Sequence, residues 1–160
     1  MKMKRHNKSI TFLFIVLSTI GVYSCGEDDM QLSYQHAIQA KAISMATKKD
    51  TVFNNLSVEA LNAQNSVLYA NVESTGVLFL VPNINSDETT FKITNNKSSD
   101  HITFYYTKKT EPISGSGGIT LNLNITGVDF TKNYIDTVII VKPDVNYNES
   151  DNNVEIYIKN

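Results

Sequence analysis

His101-Ile102-Thr103-Phe104-Tyr105-Tyr106-Thr107 is the stretch that decides the fold. Ile102, Phe104 and Tyr106 alternate with Thr103, Tyr105 and Thr107, a period of two that only a half-buried β-strand satisfies. Upstream, residues 95–100 (NNKSSD) read as a turn, and before it Thr89, Phe91 and Ile93 alternate with Thr90, Lys92 and Thr94. Downstream, residues 111–118 (EPISGSGG) read as a flexible loop, followed by Leu121, Leu123 and Ile125 alternating with Asn122 and Asn124. Further out, Leu56, Val58 and Ala60 alternate with Ser57 and Glu59, residues 62–65 are turn-like, and Ser66–Ala70 reads as a short strand. Gly76–Val81, a continuous apolar run before Pro82, predicts a strand buried on both faces, and Tyr134–Val141, ended by Pro143, reads as a second heavily apolar strand. Residues 144–153 form a polar loop, and Val154, Ile156 and Ile158 close the pattern. Residues 36–47 (HAIQAKAISMAT) are ambiguous: their alanines favour helix, but no apolar stripe of period 3.6 runs through them. Eight or nine short strands separated by turns predict an antiparallel β-sandwich, with a small closed β-barrel as the alternative.

The N-terminus has a different pattern. Residues 1–9 are cationic, residues 10–22 (ITFLFIVLSTIGV) are mostly apolar, and the run closes on Val22-Tyr23-Ser24-Cys25. A cationic start, an apolar run too short for a lasting membrane span, and a small residue before the cleavage point make a signal peptide over residues 1–24. The ending resembles a lipobox. Val22 suits the apolar pocket of the signal peptidase, Ser24 is small, and the Cys25 thiol accepts the diacylglyceryl group; Tyr23 is bulkier than usual. Cys25 is the only cysteine in the chain. Two or three acyl chains on it give stable anchoring. Gly26-Glu27-Asp28-Asp29 follow Cys25 directly and resemble an export signal toward the outer leaflet of an outer membrane. The domain organisation is therefore a signal peptide (1–24), a lipidated cysteine with an acidic tether (25–35) and a single all-β domain (36–160).

Of the 160 residues, 41% are hydrophobic, with seven Phe and eight Tyr, enough to bury one core. Beyond residue 24 there are ten Lys/Arg and sixteen Asp/Glu, a net charge of −6. That sign argues against nucleic acid, which rewards basic patches, and against attraction to anionic lipid. Abundant asparagine fits a loop-rich β protein.

Four segments carry a resemblance: Lys49-Asp50-Thr51-Val52 with Leu56-Ser57-Val58; His101–Thr107 with Lys108; Tyr134-Ile135-Asp136-Thr137-Val138-Ile139-Ile140; and Pro143-Asp144-Val145-Asn146-Tyr147-Asn148-Glu149. Together they resemble a family of uncharacterised small lipoproteins from Bacteroidota. The resemblance implies that residues 36–47 form a first strand, and it implies a partner, an outer-membrane β-barrel protein. It carries no activity. Family members usually have a Cys-Gly pair where this chain has Ser114-Gly115-Ser116-Gly117-Gly118, and a second cysteine near the mature N-terminus; neither is present here.

Few residues suggest chemistry. Gly115–Gly118 could cradle an anion, but it matches no phosphate-binding motif and precedes a strand, so a flexible turn is the simpler reading. Asp144, Asn146, Asn148 and Glu155 sit at positions 1, 3, 5 and 12 of a calcium-loop spacing, a weak candidate, since position 6 is Glu149 rather than Gly and the flanks are strands. An Asn/Asp-rich turn whose side chains bond their own backbone is the simpler reading. His36 and His101 have no neighbouring His or Cys at ligand spacing, and no G-x-S-x-G elbow occurs. In Tyr105-Tyr106 one ring belongs in the core and the other outside. The sequence thus calls for no catalytic residue, no metal and no cofactor. It leads to a lipid-anchored, non-catalytic binding domain at the outer membrane, with the cell surface favoured over the periplasmic face. A barrel carrying a small apolar ligand and an enzyme without a recognisable motif are the alternatives. The loops 111–118 and 144–153 are the expected contacts, with Tyr147 as the partner-binding candidate. The competing reading packs Tyr147 under its own loop.

Overall fold

A computed structural model of the chain describes residues 36–63, 67–112, 118–147 and 149–159. Cys25, the lipobox residues Val22, Tyr23 and Ser24, and the acidic Glu27, Asp28 and Asp29 lie outside the described residues. Ten strands occur among those described: β1 (Ile38–Ser44), β2 (Phe53–Ala60), β3 (Val67–Thr75), β4 (Val77–Leu80), β5 (Glu88–Asn95), β6 (Ser98–Pro112), β7 (Ile119–Phe130), β8 (Ile135–Ile140), β9 (Asp144–Val145) and β10 (Val154–Ile158). They form a four-stranded sheet, β4-β1-β10-β8, and a six-stranded sheet, β3-β2-β5-β6-β7-β9. All pairings are antiparallel except that of β1 with β10. Each sheet ends in edge strands, so the closed-barrel alternative does not hold and the sandwich does. The chain changes sheet through a tight corner at Gly76, which alone separates β3 from β4.

The period-two readings place the core. Leu56, Val58, Ala60, Phe91, Ile93, Ile102, Phe104, Val154 and Ile156 are fully buried, and Tyr106, Leu123, Ile125 and Ile158 nearly so. Phe91 and Phe104 meet edge to face with ring centroids 6.1 Å apart, a geometry that adds to the burial of both rings. On the opposite face of β6, Tyr105 lies over Gly127 of β7, where an added Cβ would sit 3.5 Å from the ring. Tyr106 is the core member of the tyrosine pair and Tyr105 the exposed one.

Residues 36–47, ambiguous by composition, contain the first strand that the resemblance implies, β1, in the middle of the four-stranded sheet; flanking strands override the helix preference of Ala37, Ala40 and Ala42. Several boundaries differ from the sequence reading. The run Gly76–Val81 is not buried on both faces: β4 is an edge strand whose Leu78 and Leu80 point inward while Val77 and Phe79 stay half-exposed. The second apolar run likewise forms an edge strand, β8, with Ile139 exposed. Of residues 95–100 only Asn96-Lys97 make the turn, and Asp100 is fully buried within β6. The strand count is ten rather than eight or nine, because the polar stretch 144–153 contributes β9, whose Val145 is buried. The asparagine excess has a backbone cause at three positions, where Asn55, Asn71 and Asn96 adopt left-handed φ of 47°, 52° and 54°, a conformation asparagine tolerates better than most residues.

Asp100 fixes the corner where β7 leaves the six-stranded sheet and becomes β8 of the other. Its carboxylate accepts hydrogen bonds from the Thr131 hydroxyl and from the backbone N–H groups of Asn133 (2.8 Å), Tyr134 (2.8 Å) and Ile135 (2.9 Å). Burial alone would raise its pKa; the N–H of Ile135, the Thr131 hydroxyl and the N–H groups of Asn133 and Tyr134 together outweigh that and hold it below the ordinary value. Asn153 ties the opposite corner. Its Oδ1 accepts from the Gln39 N–H (3.0 Å) and its Nδ2 donates to the Asp144 carbonyl (2.9 Å).

Phe104→Ala should cost about 3–5 kcal/mol, since it empties a fully buried site. Asp100→Asn should cost about 2–4 kcal/mol at pH 7, because an amide cannot accept from all four donors and turns its own N–H₂ toward some of them. Urea midpoints with unchanged m-values check both. Because the folded pKa of Asp100 is depressed, its contribution is complete above an ordinary carboxylate pKa of about 4 and is lost as the pH falls below that. The acid limb of the stability profile should therefore be flatter in Asp100→Asn than in the wild type.

Candidate functional site

The outer halves of β6 and β7 form an arm whose β6 side is exposed, while Leu121 and Leu123 on its β7 side still pack against the core. From Thr107 to Thr110 the β6 residues are exposed, and Ile119 at the start of β7 is 72% exposed. β9 and the segment after it lie along the β7 side of this arm, because Leu123 and Asn124 pair with Val145 and Asp144. Alternation on β7 sends Leu123 and Ile125 into the core, leaving Asn122 and Asn124 on the outer side.

A half-open polar hollow of about 340 Å³ results, lined by Lys109, Glu111, Asn122, Leu123, Asn124, Asp144 and Asn146. Its polar groups are bonded to one another. Lys109 pairs with Glu111 at 2.6 Å, Asn122 Nδ2 donates to Glu111 at 2.9 Å, and Asn124 Nδ2 donates to Asp144 at 2.7 Å. The hydrogen bond and charge of Lys109 hold the Glu111 carboxyl below its usual pKa, and Glu111 in turn raises that of Lys109. Both are ionised at neutral pH.

Tyr147 stands beside the hollow. Its backbone N–H donates to Asn122 Oδ1 at 3.3 Å, and its ring lies against the His36 imidazole, with centroids 5.3 Å apart and planes tilted by 43°. The ring is 36% exposed, so it neither fills the core nor stands free. His36 Nε2 is 2.9 Å from the Thr120 hydroxyl, and its buried Nδ1 has no partner among the described residues. Burial lowers the His36 pKa, which keeps the imidazole neutral at pH 7. Behind Tyr147, Lys142 binds Glu149 and, at 3.0 Å, Asp151. These two carboxylates raise the Lys142 pKa. Gln39 Nε2 reaches the Glu149 carbonyl at 2.7 Å, fastening the segment after β9 to β1.

Two residues of the calcium spacing stand on different sheets. Asp144 lies in the six-stranded sheet and Glu155 in the four-stranded one. The Asp144 carboxylate accepts from Asn124 and that of Glu155 from the Tyr157 hydroxyl at 2.8 Å. Asn146 Nδ2 donates to Glu149 at 3.1 Å, and Asn148 lies outside the described residues. No group of three or more His, Cys, Asp or Glu able to hold a metal occurs among the described residues. Ser114–Gly117 also lie outside them, while Gly118 immediately precedes β7. His101 sits on β6, its backbone N–H bonded to the Thr131 hydroxyl at 2.9 Å. The two histidines thus belong to different clusters. The residues that sequence reading did not single out are Thr120, Asn122 and Asn124; their signal was the polar half of a period-two strand.

Tyr147→Ala should remove the ring that shields His36. We expect a stability loss of about 0.5–1.5 kcal/mol and a rise of the His36 pKa toward its ordinary value, read by NMR titration of the imidazole.

The comparisons with known proteins add no activity. No curated protein and no solved structure matches the chain. One family profile matches, over residues 55–158, from within β2 to the end of β10. The match covers well over half of the chain, and the protein belongs to the family of unknown function DUF6452.

Proposed function

We propose that the protein is a lipid-anchored lipoprotein of the bacterial cell envelope, held at the outer membrane through Cys25, and that its β-sandwich is a non-catalytic module that binds another envelope component. The observation that carries this reading is the sequence itself: an apolar run ending in Val22-Tyr23-Ser24-Cys25, with the only cysteine of the chain at the position where the lipid is attached. The likeness to small Bacteroidota lipoproteins supports the same location, and Glu27-Asp28-Asp29 support display on the outer face.

The binding half of the proposal draws support from the distribution of side chains. The inward positions of both sheets are filled by their own side chains, which leaves the apolar-carrier reading without support. The polar arm of β6 and β7, with Tyr147 and His36 at its side, offers contact groups outside the core. The partner we infer is an outer-membrane β-barrel protein. Ten residues of tether, 26–35, reach at most about 35 Å, so the domain stays near the membrane plane and a modest interface suffices at the resulting effective concentration.

In cells fed a radiolabelled or alkyne-bearing fatty acid, the wild type should take up label and Cys25→Ser should not; normal labelling of that variant would refute the anchor. The wild type should also co-purify with an outer-membrane barrel from detergent-solubilised envelopes, and Tyr147→Ala should lose most of that partner while keeping a β-type far-UV spectrum. Absence of any barrel from the wild-type eluate would remove the partner assignment.

A further inference from the structure

Strand edges expose unpaired backbone groups, and folded proteins protect them with short strands, bulges, proline or covering side chains. Three of the four sheet edges here are protected. β9 has two residues and follows Pro143. β4 has four, and the Phe79 N–H donates to the Tyr69 hydroxyl at 2.8 Å. β3 is broken by register shifts against β2 and by Asn71 at φ 52°. β9 pairs only with Leu123 and Asn124 of β7; beyond them β7 contains Gly127 and lies across from a bulge at Tyr105/Tyr106, and before them His36 and Tyr147 bond Thr120 and Asn122.

β8 is different. From Thr137 to Ile140 it runs in unbroken register with β10, its one shift confined to its start, and it contains no proline and no left-handed residue. The Val141 N–H donates to the Asn153 carbonyl at 2.9 Å, on the β10 side. Strand alternation then turns the backbone groups of Thr137 and Ile139 to β10 as well, and those of Val138 and Ile140 away from the sheet. Ile139 and Val141 are 43% and 49% exposed. The two ends of the strand carry opposite charge. At the start, Lys132 and Lys159 outnumber Asp136, with the Lys159 ammonium held by the Lys132 carbonyl at 2.8 Å. At the far end, Glu149 and Asp151 outnumber the Lys142 they bind.

We propose that β8 pairs antiparallel with β8 of a second copy of this chain, about a two-fold axis at Ile139. Such an interface must be self-complementary, and this strand is. Ile139 meets Ile139, Val138 meets Ile140, and Thr137 meets Val141. The cationic start of each strand falls beside the acidic end of the other. Two four-stranded sheets become one of eight. A single strand edge is small beside the ~1,600 Å² of a standard interface, so the dimer dissociates readily on dilution.

In this register Ile139 and its counterpart form a non-hydrogen-bonded pair with Cα atoms about 4.5 Å apart, within the range a disulfide spans. The test uses the full chain with Cys25→Ser, so that an introduced thiol is the only one. Ile139→Cys should form a disulfide-linked dimer under mild oxidation at least about tenfold faster than Val67→Cys or Ile119→Cys, the excess reflecting effective concentration at a formed interface. Those control positions are 60% and 72% exposed. Adding Lys132→Glu and Lys159→Glu should remove the excess. A rate at Ile139→Cys no greater than the controls overturns the proposal, and so does cross-linking in cells that captures another protein in place of a second copy. Should Ile139→Cys fail to fold, sedimentation of the wild type decides: mass rising toward the dimer with concentration supports the pairing, and a monomer at every concentration overturns it.

Discussion

The Asp100 carboxylate is the constraint on which the sandwich depends. It gathers the Thr131 hydroxyl and three consecutive N–H groups at the point where the chain leaves one sheet for the other. Backbone N–H groups at such a corner belong to neither ladder and, buried, each needs an acceptor. One ionised side chain supplies it for all three. The same logic runs through the rest of the molecule. Ser44, Thr89, Asp100 and Asn153 are the buried polar residues among those described, and each stands where the chain changes sheets. Ser44 closes the turn between β1 and β2 by accepting from the Thr47 N–H. Thr89 bonds the Asn83 N–H and the Tyr106 hydroxyl, securing the passage from β4 to β5. Asn153 secures the passages on either side of β9. The apolar core supplies the driving force for collapse, and these four residues fix where each crossing is made.

That division of labour bears on function. With the core filled and the crossings bound by internal hydrogen bonds, what is left for recognition is the periphery. The outer face of the six-stranded sheet carries paired hydroxyls, Thr90 with Thr103 and Thr94 with Ser99, each at 2.8 Å, and the exposed Tyr105, whose hydroxyl donates to Asp129 at 3.0 Å. Its polar groups largely satisfy one another. The arm of β6 and β7 and the edge of β8 differ from it in opposite ways, one presenting polar groups and a half-exposed tyrosine, the other unpaired backbone and exposed aliphatic side chains. The edge of β8 belongs to the four-stranded sheet and the arm to the six-stranded one.

Much of this was legible in the sequence. The alternation through residues 89–94 and 101–107 gave the strands and their inward faces correctly, because period two leaves one face for the core and a slip by one residue would expose all of it. Where the alternation weakened, legibility failed. The run at 76–81 reads as a doubly buried strand, and only the sheet order shows it at an edge, with Val77 and Phe79 half-exposed. Asp100 sits in a string of turn-forming residues and nothing local separates it from a solvated aspartate; its donors lie 31 to 35 residues away. Thr120 is bonded to His36 across 84 positions.

The sequence by itself determined the all-β class, the faces of the central strands and the apolar residues of the core. Each of these is written in a local property, residue spacing or hydrophobic run length. Tertiary structure alone decided which strands are edges, which asparagines and aspartates are buried, and which polar side chains share a surface with Tyr147. Those outcomes depend on strand order and on hydrogen bonds between residues far apart in the chain. Local periodicity cannot encode either, because the same alternating strand satisfies its neighbours whether it stands in the middle of a sheet or at its edge.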